Sequence, residues 1–286
     1  MNMPRGVPKS GVRMTAKRIA NATAVSASMF TTTIDETDAE IEVRLNDSYE
    51  AMHTMALATA LGKNKSLIIS GPAGVGKSHT VTQVLEAVEE DTLGTFVKGF
   101  IRPTGLYKML YENRFKQCVI VFDDADSVFM DDVSLNLLKA ACDMTKTRRI
   151  SWLSETKMED EEGERLPRNF EFEGSIIFIT NYDFDSMIDK GNRLAPHFQA
   201  LISRSHYLDI GIKTKREYVI RLKQVVKGGM LRDEGYTKTQ ENDLIAFIED
   251  NQERLRELSL RMVMKLAGLM NMGGDWKKMA KATCMK

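Results

Sequence analysis

The stretch Ser66–Val81, SLIISGPAGVGKSHTV, is the part of the chain that decides which fold to expect. Its first residues form an apolar run typical of a buried strand, and its last residues favour a helix. Between them lies a glycine-rich loop that satisfies the spacing G-x-x-x-x-G-K-S with Gly71, Gly76, Lys77 and Ser78. A turn that merely joined a strand to a helix would not require a lysine and a serine at these positions. The stretch therefore predicts a loop that binds the phosphates of a nucleotide.

Each residue type in this loop has a chemical role. Glycines allow successive backbone amides to curl around phosphate oxygens, and the following helix directs the positive end of its dipole at them. Lys77 is expected to reach the outer phosphates, and Ser78 to place a hydroxyl on Mg²⁺. The residues expected to contact the nucleotide are Gly71, Pro72, Ala73, Gly74, Val75, Gly76, Lys77, Ser78 and His79.

The composition is that of an ordinary soluble protein. The chain has 286 residues, 43% of them hydrophobic, which suffices for one large domain or two modest ones. Lysine plus arginine and aspartate plus glutamate both number 40, so net charge does not direct the chain to nucleic acid or an anionic membrane. Cys118, Cys142 and Cys284 have neither paired nor metal-like spacing, which indicates a reducing compartment. No apolar run approaches the length of a membrane span, about 20 residues, and the start lacks a secretory apolar segment, so we expect a cytoplasmic protein.

Residues 1–45 are expected to form a flexible basic arm. The basic residues that precede its first acidic residue, Asp35, are Arg5, Lys9, Arg13, Lys17 and Arg18. Such an arm is either a solvated segment without a role or a contact for nucleic acid or a neighbouring subunit. A helix is expected to follow, capped at Asp47 and stopped at Gly62.

Beyond the loop, short apolar runs alternate with helical segments, which predicts an α/β fold with a parallel sheet covered by helices on both faces. The runs assigned to strands one to five are Leu67–Ser70, Thr95–Ile101, Cys118–Phe122, Ile176–Thr180 and His206–Ile210. The charged segment ETKMEDEEGER, residues 155–165, is expected to be a solvated loop or a hairpin tip. Residues 213–286 repeat apolar residues on a 3.6 period and predict a separate all-helical domain, which leaves residues 46–212 as the nucleotide-binding domain.

The segment CVIVFDDADSVF supplies acids for the same site. Asp123 and Asp124 follow a buried apolar run, where two carboxylates are costly unless a cation is present. We expect Asp123 to hold Mg²⁺ and Asp124 to orient the attacking water as a general base. Asp126 is left open: it is either the acid that matters or a solvated residue of the turn.

Together with IIFITN, ALISRSHYLDI and SLRMV, these motifs resemble those of the AAA+ ATPases over roughly residues 45–275. The resemblance implies a P-loop NTPase fold with a parallel sheet in the order 5-1-4-3-2 and a C-terminal helical lid. ATP would lie in the crevice between sheet and lid. It also implies that Asn181 senses the terminal phosphate and helps to position water; otherwise Asn181 is a turn former.

Two arginines take roles from the same resemblance. Arg204 lies in a segment similar to one in clamp-loader subunits, whose arginine enters the ATP site of the neighbouring subunit, with Ser205 here in place of a cysteine. It is our candidate arginine finger, and the other reading is a structural ion pair at the edge of the sheet. Arg261 resembles the lid arginine that contacts the nucleotide, and the other reading is an exposed helix residue.

Two departures from the family pattern limit the resemblance. Asp124 stands where glutamate is usual, which bears on the rate of hydrolysis. The aromatic-glycine pore loop of protein-threading members is not clearly present, although KGFIRPTG offers Phe100 and Ile101 in its place. Phe100 could equally belong to the core of the second strand.

The resemblance implies a Mg²⁺-dependent ATPase that forms a ring or arc of identical subunits and remodels or loads a DNA or protein partner. The compact chain is similar to bacterial and phage members, including those that load replication proteins. The alternative is a nucleotide-dependent binding switch of slow turnover, which the shorter Asp124 favours. A small-molecule kinase would leave Asn181, Arg204 and the helical lid unexplained.

Overall fold

The computed structural model describes residues 36–154, 158–159 and 163–286. The chain divides into two compact units, residues 1–40 and residues 41–286. The basic residues predicted to form an arm all lie before residue 36, outside the described residues. Among the described residues, no helix has both the length and the apolar character needed to cross a membrane.

A parallel sheet of five strands forms the centre of the second unit. The strands of the chain are β1 (Ser66–Ser70), β2 (Leu93–Lys98), β3 (Cys118–Asp123), β4 (Arg149–Ser151), β5 (Asn169–Glu171), β6 (Ser175–Thr180) and β7 (His206–Asp209). The order in the central sheet is β2-β3-β6-β1-β7. Strands β4 and β5 form a separate two-stranded sheet. When the five strands of the central sheet are numbered by themselves and read from β7 to β2, their order is the predicted 5-1-4-3-2. The predicted α/β fold is therefore confirmed.

Side chains of the central strands alternate between two apolar layers, as the period of two in a strand requires. Ile68, Ile120 and Phe178 belong to one buried cluster, whereas Leu67 and Ile177 belong to the other. Because both faces are covered, the three central strands are apolar at nearly every position, which is why the sequence shows continuous runs.

The helices cover both faces and then form the lid. They are α1 (Asp38–Ala60), α2 (Lys77–Glu86), α3 (Pro103–Glu112), α4 (Asp132–Ala141), α5 (Phe184–Asp189), α6 (Ala195–Ile202), α7 (Lys215–Lys227), α8 (Met230–Asp233), α9 (Lys238–Asn251), α10 (Leu260–Asn271) and α11 (Trp276–Cys284). A short 3₁₀ helix, Asp126–Phe129, follows β3. Helices α7 to α11 share a third buried cluster, so the predicted all-helical lid is confirmed.

Helix α1 begins earlier than the sequence analysis expected. Asp47 lies inside the helix, and the cap is Thr37: the Glu40 amide donates to its hydroxyl at 3.3 Å, and its own amide donates to the Glu40 carboxylate at 2.8 Å. The T-x-x-E pattern of Thr37 and Glu40 is the sequence signal of this capping box.

Strand β2 ends at Lys98, three residues before its predicted end at Ile101. Gly99 adopts φ 93°, a conformation that favours glycine and breaks the strand. Phe100 is 78% exposed and does not belong to the core of the strand.

Strands β4 and β5, which lie on either side of the charged segment in the sequence, pair with each other in an antiparallel arrangement. Ile150 pairs with Phe170, and an isolated antiparallel bridge joins Glu159 to Arg165 further out. Of the two alternatives from the sequence, a solvated loop or a hairpin tip, the described residues support the hairpin.

Candidate active site

The glycine-rich loop joins the carboxyl end of β1 to the first turn of α2. Gly76 precedes α2 with φ 104°, and Gly74 has φ 73°, values that side chains with a Cβ rarely adopt. At Gly74 a Cβ would lie 2.7 Å from the Cβ of Ser259 in the lid. The Leu260 amide donates to the Gly74 carbonyl at 2.7 Å. The loop is therefore shaped by glycine and touches the lid directly.

Lys77 is almost fully buried in the mouth of the loop, with 5% exposure. Its ammonium donates to the carbonyls of Gly71 at 2.5 Å and Pro72 at 2.7 Å and to the Asn181 side-chain oxygen at 3.0 Å. Burial lowers the pKa of Lys77 from 10.5 to about 8. Nearby carboxylates, of which Asp124 has the largest effect, oppose this shift only in part. Lys77 forms no ion pair with the residues that the structure describes, and a bound phosphate would supply the missing anion.

Asp123 meets Ser78 at the end of β3. The Ser78 hydroxyl donates to Asp123 Oδ1 at 2.6 Å, and Lys98 Nζ lies 3.0 Å from Asp123 Oδ2. Asp123 is 4% exposed, so a buried carboxylate and a hydroxyl converge beside the loop. Oxygen donors of this kind suit Mg²⁺, and both residues fit the ion. No cluster of three or more histidine, cysteine or acidic side chains that could hold a metal occurs in the described part of the chain.

Asp124 and Asn181 lie side by side at the ends of neighbouring strands. The Asn181 amide nitrogen donates to Asp124 Oδ1 at 3.0 Å, while its oxygen accepts from Lys77. Asp124 has φ 53°, the one non-glycine residue with positive φ among those described. Its amide donates to the Ile179 carbonyl on β6 at 3.0 Å, which fixes this conformation. A residue held in a sparsely populated conformation at a cavity is typical of functional sites.

Asp126 occupies a different environment from Asp124. The Thr180 hydroxyl donates to Asp126 Oδ1 at 2.6 Å, and burial raises the pKa of Asp126 above its usual range. It is thus tied to the end of β6 and is not simply a solvated residue of the turn.

A cavity of about 910 Å³ opens between the loop and the lid. Asp124 and Asn181 line this cavity. So do seven of the residues predicted to contact the nucleotide, namely Ala73, Gly74, Gly76, Lys77, Ser78, His79 and Arg261. Gly71, Pro72 and Val75 do not line it; the first two hold Lys77 through their carbonyls, and Val75 is buried. The opposite wall comes from the lid. It combines apolar residues, Val225, Met230, Leu260 and Met264, with charged residues, Asp233, Glu234 and Lys265, beside Arg261.

Arg204 lies outside this cavity. It precedes β7 at the amino end of the sheet, where Ser66 Oγ is 3.2 Å from its carbonyl oxygen. The loop lies at the other end of β1, about 16 Å away for a strand of five residues. Arg204 Nε is 3.6 Å from Asp143 Oδ1, so the ion pair considered from the sequence is present.

Three further residues contact the site although no local sequence motif marks them. Lys98 reaches Asp123 because β2 and β3 pair in a register that places the two residues opposite each other. Tyr49 of α1 donates its hydroxyl to the Val75 carbonyl at 2.6 Å, and Arg221 of α7 stacks 3.3 Å above the Tyr49 ring. Only the fold brings these positions to the loop.

The strand order, the phosphate-binding loop, the paired Asp124 and Asn181 and the helical lid match the arrangement that the resemblance to the AAA+ ATPases predicts. The chain belongs to the same family as an uncharacterised 36.7 kDa protein of Enterobacteria phage T4, encoded in the nrdC-mobD intergenic region. The two are 36% identical over 251 residues, which cover 86% of this chain and 76% of the T4 protein. No protein-family model matches the sequence.

Solved structures with a similar arrangement share little sequence with this chain. NtrX of Brucella abortus in complex with ATP is 13% identical at a TM-score of 0.49, covering 93% of this chain and 57% of NtrX. The RuvB Holliday junction branch migration motor of Thermotoga maritima is 13% identical at a TM-score of 0.46, covering 79% of this chain and 62% of RuvB. This chain thus spans less than two thirds of either protein.

Proposed function

We propose that the chain binds and hydrolyses ATP between a nucleotide-binding domain, residues 46–212, and a lid, residues 213–286. The observation that carries the proposal is Asn181, which accepts from Lys77 and donates to Asp124, both at 3.0 Å. A turn-forming asparagine would need neither contact. The two hydrogen bonds align a cation for the phosphates, a polar side chain and a carboxylate on one side of the loop.

Each of these groups has a task in phosphoryl transfer. The loop amides and the amino end of α2 bind the phosphate oxygens, and Lys77 exchanges its carbonyl partners for the outer phosphates. Asp124 accepts the proton of the attacking water, and Asn181 orients that carboxylate. Arg261, whose charge lowers the pKa of Lys77, adds a second cation from the lid.

Ser78 and Asp123 are the residues that would hold Mg²⁺. Their 2.6 Å hydrogen bond brings two oxygen ligands to one point, and Lys98 occupies the second carboxylate oxygen. When bound, the ion stabilises negative charge on the phosphoryl oxygens. We expect Asp123→Ala to weaken Mg²⁺-dependent nucleotide binding itself, not only turnover.

The position of Arg204 supports a shared site and therefore a homo-oligomer, in a ring or an arc. Arg204 lies at the amino edge of the sheet, whereas the cavity lies at the carboxyl edge. It cannot serve the cavity of its own chain and would serve that of a neighbour, where an arginine finger is worth about 10³ to 10⁵ in turnover.

The test is ATP turnover by the purified full chain and three variants. Lys77→Ala should abolish nucleotide binding, and Asp124→Asn should bind MgATP with near-normal affinity but hydrolyse none. Asp132→Asn is the matched control, because Asp132 is an exposed aspartate that pairs with Arg193 away from the cavity. Tight ATP binding by Lys77→Ala, measured by calorimetry, would remove the loop from the site.

The second candidate function is a nucleotide-dependent binding switch with slow turnover. The observation in its favour is that Asp124 is one methylene shorter than glutamate and is already hydrogen-bonded to Asn181. A motor that remodels or loads DNA or protein should release phosphate faster when its partner is added, whereas a switch should not. Capture with Asp124→Asn in the presence of ATP identifies that partner for the assay.

A further inference from the structure

Polar groups from the loop after α4 and from α6 contact or face the Arg204 side chain. Asp143 follows α4 directly, and its Oδ1 lies 3.6 Å from Arg204 Nε. Arg204 Nη1 donates to the Ala200 carbonyl, at the end of α6, at 2.8 Å. Arg204 Nε is shielded from solvent and makes no hydrogen bond with the described part of the protein. The guanidinium is therefore fixed along one edge by Ala200 and faced by a carboxylate along another.

Asp143 has hydrogen-bond partners on both of its carboxylate oxygens. Its Oδ1 accepts from the Met144 amide at 2.9 Å, and its Oδ2 lies 3.0 Å from the Thr145 hydroxyl. Lys65 binds the same loop, donating to the Thr145 carbonyl at 2.5 Å and the Asp143 carbonyl at 3.4 Å. These contacts favour an orientation of the carboxylate in which Oδ1 lies beside the arginine.

The Asp143–Arg204 ion pair is expected to contribute little to the stability of the fold. Its side chains are 37% and 34% exposed, and solvent screens such a pair so that its net contribution to folding is small. The geometry is also not that of a bidentate pair, in which two parallel N–H bonds meet one carboxylate. Among the described residues no hydrogen bond occupies Nη2, which is the edge left for another group.

We propose that Asp143 is a positioning residue that orients Arg204 for the nucleotide site of the neighbouring subunit. This inference rests on the proposed function, since it requires Arg204 to act in trans. With Nη1 held by Ala200 and Asp143 beside Nε, Nη2 is the nitrogen left to contact the neighbour's phosphates. Lys65 ties the Asp143 loop to the start of β1, so the arrangement is built into the sheet.

The test is the kinetics of Asp143→Asn, which keeps the shape of the side chain and removes its charge. We expect kcat for ATP to fall about tenfold with KM unchanged, because a small misplacement of a catalytic group is costly in rate. Glu171→Gln is the matched control: it removes an exposed pair with Arg149, 3.4 Å apart, that does not contact Arg204. Thermal unfolding of both variants should match the wild type.

A mixing experiment separates positioning from damage to the fold. Lys77→Ala cannot bind nucleotide but carries an intact Asp143 and Arg204, so an excess of it should restore turnover at the sites of Asp143→Asn. Wild-type kcat for Asp143→Asn, increased kcat, or a defect that Lys77→Ala does not rescue would each overturn the inference.

The same mixture with Arg204→Ala tests the proposed function separately. If Lys77→Ala rescues Arg204→Ala and Asp143→Asn has a wild-type kcat, the shared site stands and only the positioning role of Asp143 is overturned. If Arg204→Ala stays inactive while light scattering shows that mixed oligomers form, the shared site fails and the positioning role of Asp143 fails with it.

Discussion

Lys77 is a buried cation that has no ion pair within the described part of the chain, and this should make nucleotide binding depend on pH. Its pKa is about 8 in the free protein, and bound phosphates favour the charged form and raise it. Binding should therefore take up a proton above pH 8 and none below pH 7, so affinity falls by up to about tenfold per pH unit above 8. Calorimetry in two buffers of different ionisation enthalpy measures the uptake; its absence at pH 9 would contradict the assignment.

Asp124 and Asp126 can be told apart by substitution with asparagine. Asp124→Asn should stop hydrolysis and still fold, because asparagine tolerates positive φ and Asp124 has φ 53°. Asp126→Asn should retain most turnover, since its side-chain oxygen can still accept from Thr180. Single-turnover kinetics with both variants decides between them. The reverse result would place the base two residues further along the chain.

At the residue scale, the sequence predicts which residues lie close together where a motif spans consecutive positions. Asp123, Asp124 and Asn181 stand at the carboxyl ends of neighbouring strands, Lys77 and Ser78 open the helix after the loop, and the structure brings these side chains together. Lys98 was missed because an exposed lysine at a strand end looks like any solvated residue. Its contact with Asp123 depends on the register of β2 against β3, which no local pattern encodes.

At the scale of elements, three parts of the chain meet at one carbonyl. The Val75 carbonyl accepts from Tyr49 of α1 at 2.6 Å and lies 3.5 Å from Arg221 Nε of α7, whose guanidinium stacks on the Tyr49 ring. Helix α1 and the lid thus both hold the phosphate-binding loop. Burial raises the pKa of Tyr49 to about 12, so the hydroxyl remains a donor at any physiological pH.

Tyr49→Phe should destabilise the loop more than the fold. It removes one buried hydrogen bond and leaves the Val75 carbonyl without that donor, which costs about 1 kcal/mol of unfolding free energy. Urea unfolding measures this loss, and nucleotide affinity should fall as well because the loop is less rigid. Tyr218→Phe on α7 is the control, since no hydroxyl hydrogen bond is recorded for it among the described residues, and it should change neither quantity.

Elements were predicted well where they are buried on both sides. The three central strands, β1, β3 and β6, differ from their predicted bounds by one residue at most, because their apolar runs are continuous. The edge strand β2 was extended into Phe100, since an aromatic residue after an apolar run favours a strand and only Gly99 signals the stop. Strands β4 and β5 have three residues each, too few for a pattern, and their pairing crosses a charged segment.

At the scale of the whole molecule, a shared site makes activity depend on concentration. An isolated subunit has the cavity and the arginine on opposite edges of one sheet, so it should be nearly inactive. Turnover per subunit should therefore fall on dilution through the dissociation constant of the assembly and recover on concentration. Activity measured alongside light scattering tests this, and constant activity per subunit in monomers would return Arg204 to a structural ion pair.

The placement of cavity and arginine at opposite ends of β1 also determines how complete sites are counted. A contact that joins the carboxyl edge of one sheet to the amino edge of the next is head-to-tail, so the same contact can repeat without limit unless its rotation closes a ring. An open chain of such subunits always ends in one cavity that lacks an arginine and one arginine that lacks a cavity. A head-to-tail pair would then have half of its sites complete, each added subunit would complete one more, and closure of the ring would complete the last.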